Sequence, residues 1–302
     1  MKKVIVAGKF NVDTFYYVDE LKVSSNNVAS QIKVELGGKA GNVAVCLRKM
    51  GLDVAVTGCI GKDGFGSFIK KKLSGYGIDT THLKECKAPT GRTAIAVTKD
   101  GENTMLNYPG ANLKFTPDMI DWTLVEKGKV LFVQFGLPPS TVFELSSMMK
   151  RAGAMVYVDP PFPSEVPWDA FSYFDYFAPN QEEAIKISGK RDIEAAAKHF
   201  LKREVEVVIV KMGKLGVKIF SEKRVVEIPA VDVDVVDTTG AGDAFNCGFI
   251  YGRMNGMDDE SSAKIGVVVA SIAVTKKGSS SAMPSIEEVR EFVKDRGLNI
   301  RV

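Results

Sequence analysis

The sequence predicts an α/β fold, a mostly parallel central sheet flanked by helices with a small β lid over it. Three observations carry this expectation. Short apolar runs alternate with amphipathic segments of helical period, the rhythm of strands joined by crossover helices. Two stretches instead alternate polar and apolar residues with period two, as strands with one covered face do. Late in the chain a β-branched run, Val231–Val236, passes through a glycine-rich turn into a helical pattern over Ala244–Arg253.

In chain order, Val4–Gly8 reads as a buried first strand. Asp53–Cys59, Val130–Phe135, Ala154–Asp159, Phe174–Ala178 and Val205–Lys211 are further strands. Helices fit Gly41–Met50, Asp63–Tyr76, Pro117–Glu126, Thr141–Arg151 and Ile193–Leu201, with start signals at Thr116-Pro117 and Asp192. The period-two strands are Gln31–Leu36 and the pair Thr93–Thr98 and Thr104–Tyr108. That pair flanks Lys99-Asp100-Gly101-Glu102, whose Asp-Gly suits a hairpin turn. Residues 14–36 and 91–110 are therefore read as a lid inserted into one domain spanning 1–302. No linker, low-complexity tract or internal repeat divides the chain.

With 45% hydrophobic and 25% charged residues in 302, the chain can bury a sizeable core. A net charge of +3, evenly spread, is too mild for a nucleic-acid partner. Lys70-Lys71-Lys72 reads as the solvated face of a helix. Cys46, Cys59, Cys86 and Cys247 are scattered and read as small buried hydrophobes in a reducing compartment. With His82 and His199 as the histidines, a metal cage or a Ser-His-Asp triad has little to draw on. Met1-Lys2-Lys3 precedes an apolar stretch too short for a signal peptide, and Ile265–Val274 is about half a membrane span. A cytoplasmic protein with no membrane partner is expected.

Three segments carry chemistry. In Asp237-Thr238-Thr239-Gly240-Ala241-Gly242-Asp243, glycines let backbone N–H groups converge at a helix start, where the dipole adds positive potential. Phosphate is the natural guest, and Asp243 would stand beside it. A tight turn with Asp243 as a helix-start acid is the plainer reading. A carboxylate at an anion site gains a purpose when it must contact a hydroxyl that attacks the phosphate. Gly37-Gly38-Lys39-Ala40-Gly41-Asn42 is no Walker A loop, because neither Ser nor Thr follows the lysine. Its glycines would bring backbone close to a small ligand, with Asn42 offering donor and acceptor. Gly8-Lys9-Phe10-Asn11-Val12-Asp13 closes the first strand at the end where open α/β sheets bind ligands. Asn11 and Asp13 point the same way and could grip a vicinal diol, or simply form an Asx turn. The absence of Gly-x-Gly-x-x-Gly after the first strand counts against a dinucleotide oxidoreductase.

In this order and spacing the three segments resemble the PfkB/ribokinase family of carbohydrate kinases. Gly37–Ala44 resembles its first signature and Asp237–Phe245 its second. Pro179-Asn180-Gln181-Glu182-Glu183 resembles its Asn-x-x-Glu motif and Lys211–Gly216 its nucleotide-contacting turn. Tyr108–Asn112, Lys277-Gly278 and Met283-Pro284 also fit. The resemblance implies a ribokinase-like fold and an ATP-dependent phosphotransferase with an alcohol acceptor, a hydroxymethyl group of a sugar. It implies Asp243 as general base and Gly240, Ala241 and Gly242 as anion hole. Asn11, Asp13, Gly38, Lys39 and Asn42 would hold the sugar. Asn180 and Glu183 would lie near nucleotide phosphates and Mg2+, and Lys211, Gly213 and Gly216 would line the nucleotide site. For Asn180 and Glu183 a capping box is an equal reading, compatible with the first. Asp237 and Thr239 match a monovalent cation (K+) site, although Ala282 stands where bacterial ribokinases carry a serine. A homodimer through the lid is also implied.

One departure matters. Where ribokinases end a strand with a sugar-contacting glutamate, this chain has Gln134-Phe135-Gly136. That opens room for a fructose-type sugar or a sugar phosphate and keeps a nucleoside kinase and a 2-keto-3-deoxy sugar acid kinase open, and Arg92 and Lys39 are candidate partners for a charged substrate. A catalytically silent nucleotide-binding regulator is the alternative from another class.

Overall fold

The computed structural model describes residues 3–160 and 168–302, so Met1 and Lys2 lie outside the described residues. The chain opens with β1 (Lys3–Ala7), β2 (Asn11–Tyr17), β3 (Gln31–Gly37), α1 (Lys39–Lys49), β4 (Asp53–Gly61), α2 (Gly64–Gly75) and β5 (Leu83–Cys86). There follow β6 (Gly91–Val97), β7 (Asn103–Tyr108), α3 (Thr123–Lys127), β8 (Gly128–Gln134), α4 (Pro139–Arg151) and β9 (Met155–Asp159). Next are β10 (Tyr176–Phe177), α5 (Gln181–Ser188), α6 (Ile193–Leu201), β11 (Val207–Lys211), β12 (Val217–Ser221) and β13 (Val225–Ile228). Helices α7 (Ala241–Met254), α8 (Asp259–Val274) and α9 (Ile286–Asp295) close the chain.

A 9-stranded sheet has the order β13-β12-β11-β10-β9-β8-β1-β4-β5. Its pairs are parallel from β5 across to β11. β12 then runs antiparallel to both β11 and β13. Both faces of the sheet are covered, which is why its central strands read as continuous apolar runs. Within β1 the side chains alternate. Val4 and Val6 join a core that also holds residues of α1, α7 and α8, while Ile5 and Ala7 join one with residues of α4 and α6.

A 4-stranded sheet, β3-β2-β6-β7, carries the period-two segments. β2 pairs antiparallel with β3 and parallel with β6, and β6 with β7 is the hairpin expected at Asp100-Gly101. Asn11 and Asp13 therefore belong to this smaller sheet, at the first and third positions of β2, and face the same side. Helix starts follow local chemistry. Asp63 accepts from the Gly66 amide at 2.8 Å and Asp192 from the Ala195 amide at 2.7 Å.

Three expectations fail. The single helix over Pro117–Glu126 is a 3-10 turn, Pro117–Met119, followed by α3. Asp121 interrupts it by accepting from the Thr123 amide at 3.1 Å, which restarts the helix, and by pairing with the His82 ring at 2.8 Å. Val231–Val236 forms no strand. Its end is tied to α8, with the Val236 and Asp237 amides donating to the Val274 carbonyl, and Val231, Val233 and Val235 line a cavity. Cys46, Cys59 and Cys247 are buried, but Cys86 is partly exposed.

Candidate active site

The first turn of α7 is shaped by its own sequence. Gly240 caps the helix with φ 78°, a left-handed conformation that a side chain would strain. Asp237 braces the approach: Oδ1 accepts from the Thr239 amide at 2.9 Å and Oδ2 from the Gly278 amide at 3.1 Å. The Ala241 amide donates to the Thr238 carbonyl and the Ala244 amide to the Gly240 carbonyl. Among the described residues the intervening amides of Gly242 and Asp243 have no acceptor, at the positive end of the helix dipole, whereas the Ala241 amide of the expected anion hole is taken by Thr238.

Asp243 is 4% exposed, and its Oδ2 accepts from Asn42 Nδ2 at 2.8 Å. Asn42 rides on α1, whose N-cap Gly38 adopts φ 77°. Burial pushes the Asp243 carboxyl up to about 6, against the pull of Lys39 and of the Asn42 hydrogen bond. The group is thus aimed and buried, with its carboxyl held above the usual range for an aspartate.

Next to it lies a buried charge cluster. Asp159, 0% exposed at the end of β9, takes Lys39 Nζ at 2.6 Å on one carboxylate oxygen and Lys211 Nζ at 2.5 Å on the other. Burial favours the neutral acid at Asp159, but the two ammonium groups hold it below the usual carboxylate range. Burial likewise opposes the Lys39 charge, yet Asp159, with Asp243 and Glu183 beyond, keeps that ammonium above the ordinary lysine value. Glu183 is raised chiefly by burial. It completes the anticipated capping box on α5: Asn180 Oδ1 accepts from the Glu183 amide and Glu183 Oε2 from the Asn180 amide, each at 2.8 Å.

Lys39, Asn180, Glu183, Lys211, Gly213, Gly216 and the 240–243 turn all line one cavity of about 610 Å³, together with valines 217, 231, 233, 235, 267 and 274. A mainly apolar pocket with a few charged and polar groups suits a nucleotide-sized ligand.

On the other side of Asp243 stand residues of the smaller sheet. Asn11 Nδ2 donates to Thr93 Oγ1 at 3.2 Å and Asn11 Oδ1 accepts from Asn112 Nδ2 at 2.9 Å. Asn112 Oδ1 in turn accepts from the Phe10 amide at 2.9 Å. Asp13 is buried and pushed up to about 6, by burial first and by Glu35 and Asp243, while Thr93 and Lys9 oppose the shift. Asp13 Oδ1 and Asn42 Oδ1 are buried without a hydrogen-bond partner. Such atoms are costly unless something arrives to satisfy them.

The structure thus brings Asn11, Asp13, Gly38, Asn42 and Asp243 together, with the nucleotide-side residues across Asp243. Lys39 departs from its expected place, being bound to Asp159 on the cavity side. Sequence reasoning missed Asp159, Asn246 and Lys9. Asp159 carried a signal, an acid at the C-terminal end of a parallel strand. Asn246 follows Asp243 in the next turn of α7 and accepts from the Tyr157 hydroxyl at 2.9 Å.

Residues 1–286 match the pfkB family of carbohydrate kinases. The chain belongs to that family. Ribokinase of Haemophilus influenzae is 28% identical over 302 residues, covering 97% of this chain and 99% of that protein. The crystal structure of ribokinase from Thermotoga maritima superposes with a TM-score of 0.91 at 32% identity, over 97% of this chain and 100% of that one. Arabidopsis thaliana ribokinase complexed with ribose and ATP gives 0.90 at 26% identity, over 97% and 98%. The matched residues take in both sheets and helices α1 to α8. Among the described residues no helix is long and apolar enough to cross a membrane.

Proposed function

We propose that this carbohydrate kinase transfers the terminal phosphoryl group of ATP to a hydroxymethyl group of a sugar, with Asp243 as general base. The observation that carries the reading is the buried Asp243 carboxylate, oriented by Asn42 at 2.8 Å and seated in the first turn of α7 between the nucleotide cavity and the smaller sheet. The similarity to a ribokinase that holds ribose and ATP supports the substrate pair.

The acceptor hydroxyl would bond to Asp243 while Asn11, Asp13 and Asn42 orient the sugar. As the hydroxyl oxygen bonds to the terminal phosphorus and the bond from that phosphorus to the bridging oxygen of the departing ADP breaks, the hydroxyl proton passes to the Asp243 carboxylate. Charge on the equatorial phosphoryl oxygens meets the Gly242 and Asp243 amides and the helix dipole. Lys211 and Lys39, locked on Asp159, add fixed positive potential without having to reorganise. The apolar side of the cavity would take the base of the nucleotide.

Magnesium carried by the phosphates would neutralise charge on the leaving group. Among the described residues no group of three or more acidic, cysteine or histidine side chains could hold a metal by itself. Asn180 and Glu183, which line the cavity, would hold such an ion through its waters, and a donor set this sparse fits an ion that keeps most of its water and phosphate ligands. A potassium ion beside Asp237 and Thr239 would brace the loop that leads into α7, and transfer unchanged in potassium-free buffer removes that part of the proposal.

The smaller sheet is read as the lid. A cleft of about 390 Å³ separates its Phe15, Tyr17, Ile95 and Val97 from residues 235–239, space that closure would fill to exclude water. Its other face exposes Tyr16, Ile32, Val34, Leu106 and Tyr108, which supports a homodimer through the lid. A cytoplasmic setting, with its four cysteines reduced, completes the reading.

The test is nucleotide consumption across a panel of sugars, nucleosides and sugar acids, with Asp243→Asn alongside. The variant should bind nucleotide but lose at least about 10²-fold in kcat. Near-normal turnover in it removes Asp243 from its role.

A further inference from the structure

The acceptor end of the cleft holds an ammonium group that no carboxylate pairs with. Lys9 sits on the short connection between β1 and β2, two residues before Asn11. Its amide donates to Gln134 Oε1 at 3.2 Å. Its stem lies flat on Gly136, where a Cβ would stand 2.5 Å from Lys9 Cγ, 2.7 Å from Cδ and 2.9 Å from Cε. The bare backbone of Gly136 is therefore what gives Lys9 room to lie in the cleft.

The charge of Lys9 is felt at both ends of the acceptor site. Burial and the neighbouring Lys39 lower its affinity for a proton, while Asp243 and Asp13 raise it. Among the described residues it forms no ion pair and no side-chain hydrogen bond. The other cations nearby are committed. Lys39 and Lys211 are bound to Asp159 and line the nucleotide cavity, to which Lys9 does not contribute. Lys33 pairs with Glu35. Arg92 is exposed and lies over the Phe65 ring at 4.9 Å. A half-buried ammonium without a counter-ion is costly, and a ligand that brings one recovers that cost.

We infer that Lys9 receives an anionic oxygen group of the acceptor, a carboxylate or a phosphate, so that the preferred substrate is a sugar acid or sugar phosphate instead of a neutral sugar. The inference rests on the kinase reading above. Repulsion from Asp13 and Asp243 orients such a molecule, with the anionic end toward Lys9 and Gly136 and the reacting hydroxyl toward Asp243.

The experiment compares kcat/KM for sets of acceptors on one carbon skeleton: the neutral sugar, the corresponding sugar acid and the sugar phosphate. One anionic class should exceed its neutral counterpart by at least roughly tenfold, the scale of one charge-assisted hydrogen bond. The carboxylate and phosphate arms show which anion it is. Lys9→Met should raise KM for that anionic acceptor roughly 10- to 100-fold and collapse the anionic-to-neutral ratio, while the nucleotide KM stays near its original value. Gly136→Ala, which displaces the Lys9 stem without touching the ammonium, should erode the same ratio, and it keeps the question decidable if Lys9→Met folds poorly. A wild-type enzyme that favours neutral sugars overturns the inference. So does a Lys9→Met variant that weakens neutral and anionic acceptors alike, or one whose nucleotide KM moves instead. Phosphorylation of neutral sugars alone defeats this inference and leaves the kinase reading intact. Transfer to no acceptor at all, at a rate no different from Asp243→Asn, defeats both.

Discussion

Helix α7 is buried continuously from Asp243 to Gly252, whereas the smaller sheet facing it leaves Ile32 58% and Leu106 73% exposed. Both regions supply a carboxyl to the same cleft. Asp243 is aimed by one hydrogen bond from a helix packed beneath it, and Asp13 projects from a strand whose outer side is buried at Val12 but opens to solvent at Tyr16. Groups that meet a developing charge must be held within a fraction of an ångström, and a packed core does that. A surface that recognises and covers a substrate has to open, and that needs a small, locally weak unit. The division of labour follows from burial.

If the α7 side is the rigid one, damage there should cost most. Asp159→Ala leaves two ammonium groups, Lys39 and Lys211, without their shared counter-ion. Removing one partner of such a buried group costs about 3–5 kcal/mol, the lower end being expected because the Lys39 side chain is 31% exposed. Urea unfolding measures it, and a loss below about 1 kcal/mol would mean that water already screens the cluster.

Acidity tests both sides together. Burial pushes the Asp243 and Asp13 carboxyls up to about 6 from 3.8. The proposed transfer needs Asp243 ionised, so kcat/KM should fall as pH drops through about 6 and level off above it. Stability runs the opposite way. A folded-state value above the unfolded one means that the native chain holds these protons more tightly. Their contribution is therefore full at acid pH and is lost as pH rises through about 6. Asp243→Asn should flatten the stability slope between about pH 4 and 6, and an unchanged slope would show that Asp243 titrates normally.

Asn112 is the joint between the two regions. It is fully buried, takes the Phe10 amide at 2.9 Å and donates to Asn11 Oδ1 and to the Pro109 carbonyl, at 2.9 and 2.8 Å. Asn112→Ala strands the Phe10 N–H and should cost about 1–3 kcal/mol. It should also raise the acceptor KM more than the nucleotide KM, because Asn11 loses its orientation. Equal changes in both would place Asn112 outside substrate recognition.

How much of this was legible in the sequence depends on whether local chemistry or ligand contact set each segment. Ile193–Leu201 and the Asp100-Gly101 hairpin follow from caps and turn residues, which act over a few positions. The Gly240–Asp243 turn was legible because a glycine that takes up the left-handed conformation and a helix-start acid leave a compact signature. Val231–Val236 misled because β-branched residues suit an extended cavity wall as well as a ladder, and periodicity cannot tell them apart. Asp159 and Lys9 were obscure for another reason. Their meaning lies in partners more than a hundred residues away, Lys39 for one and Gly136 for the other.

The smallest expected effect on folding is the one that best separates the two regions. Leu106 lies on the outer face of the smaller sheet, in register with Ala94 and beyond it Thr14, and 73% of it meets solvent in the single chain. Replacing an exposed strand residue away from any packed feature changes monomer stability by about 0.5 kcal/mol or less. Leu106→Ser should therefore leave urea unfolding at high dilution nearly unchanged. If two lids pack face to face, the same substitution removes apolar area from the centre of that contact and shifts the protein toward monomer in sedimentation. A wild-type chain that sediments as a monomer at every concentration would deny the dimer. An unfolding midpoint that drops sharply at high dilution would show that the outer face is packed by the chain itself, and that the contrast between the two regions is smaller than their burial implies.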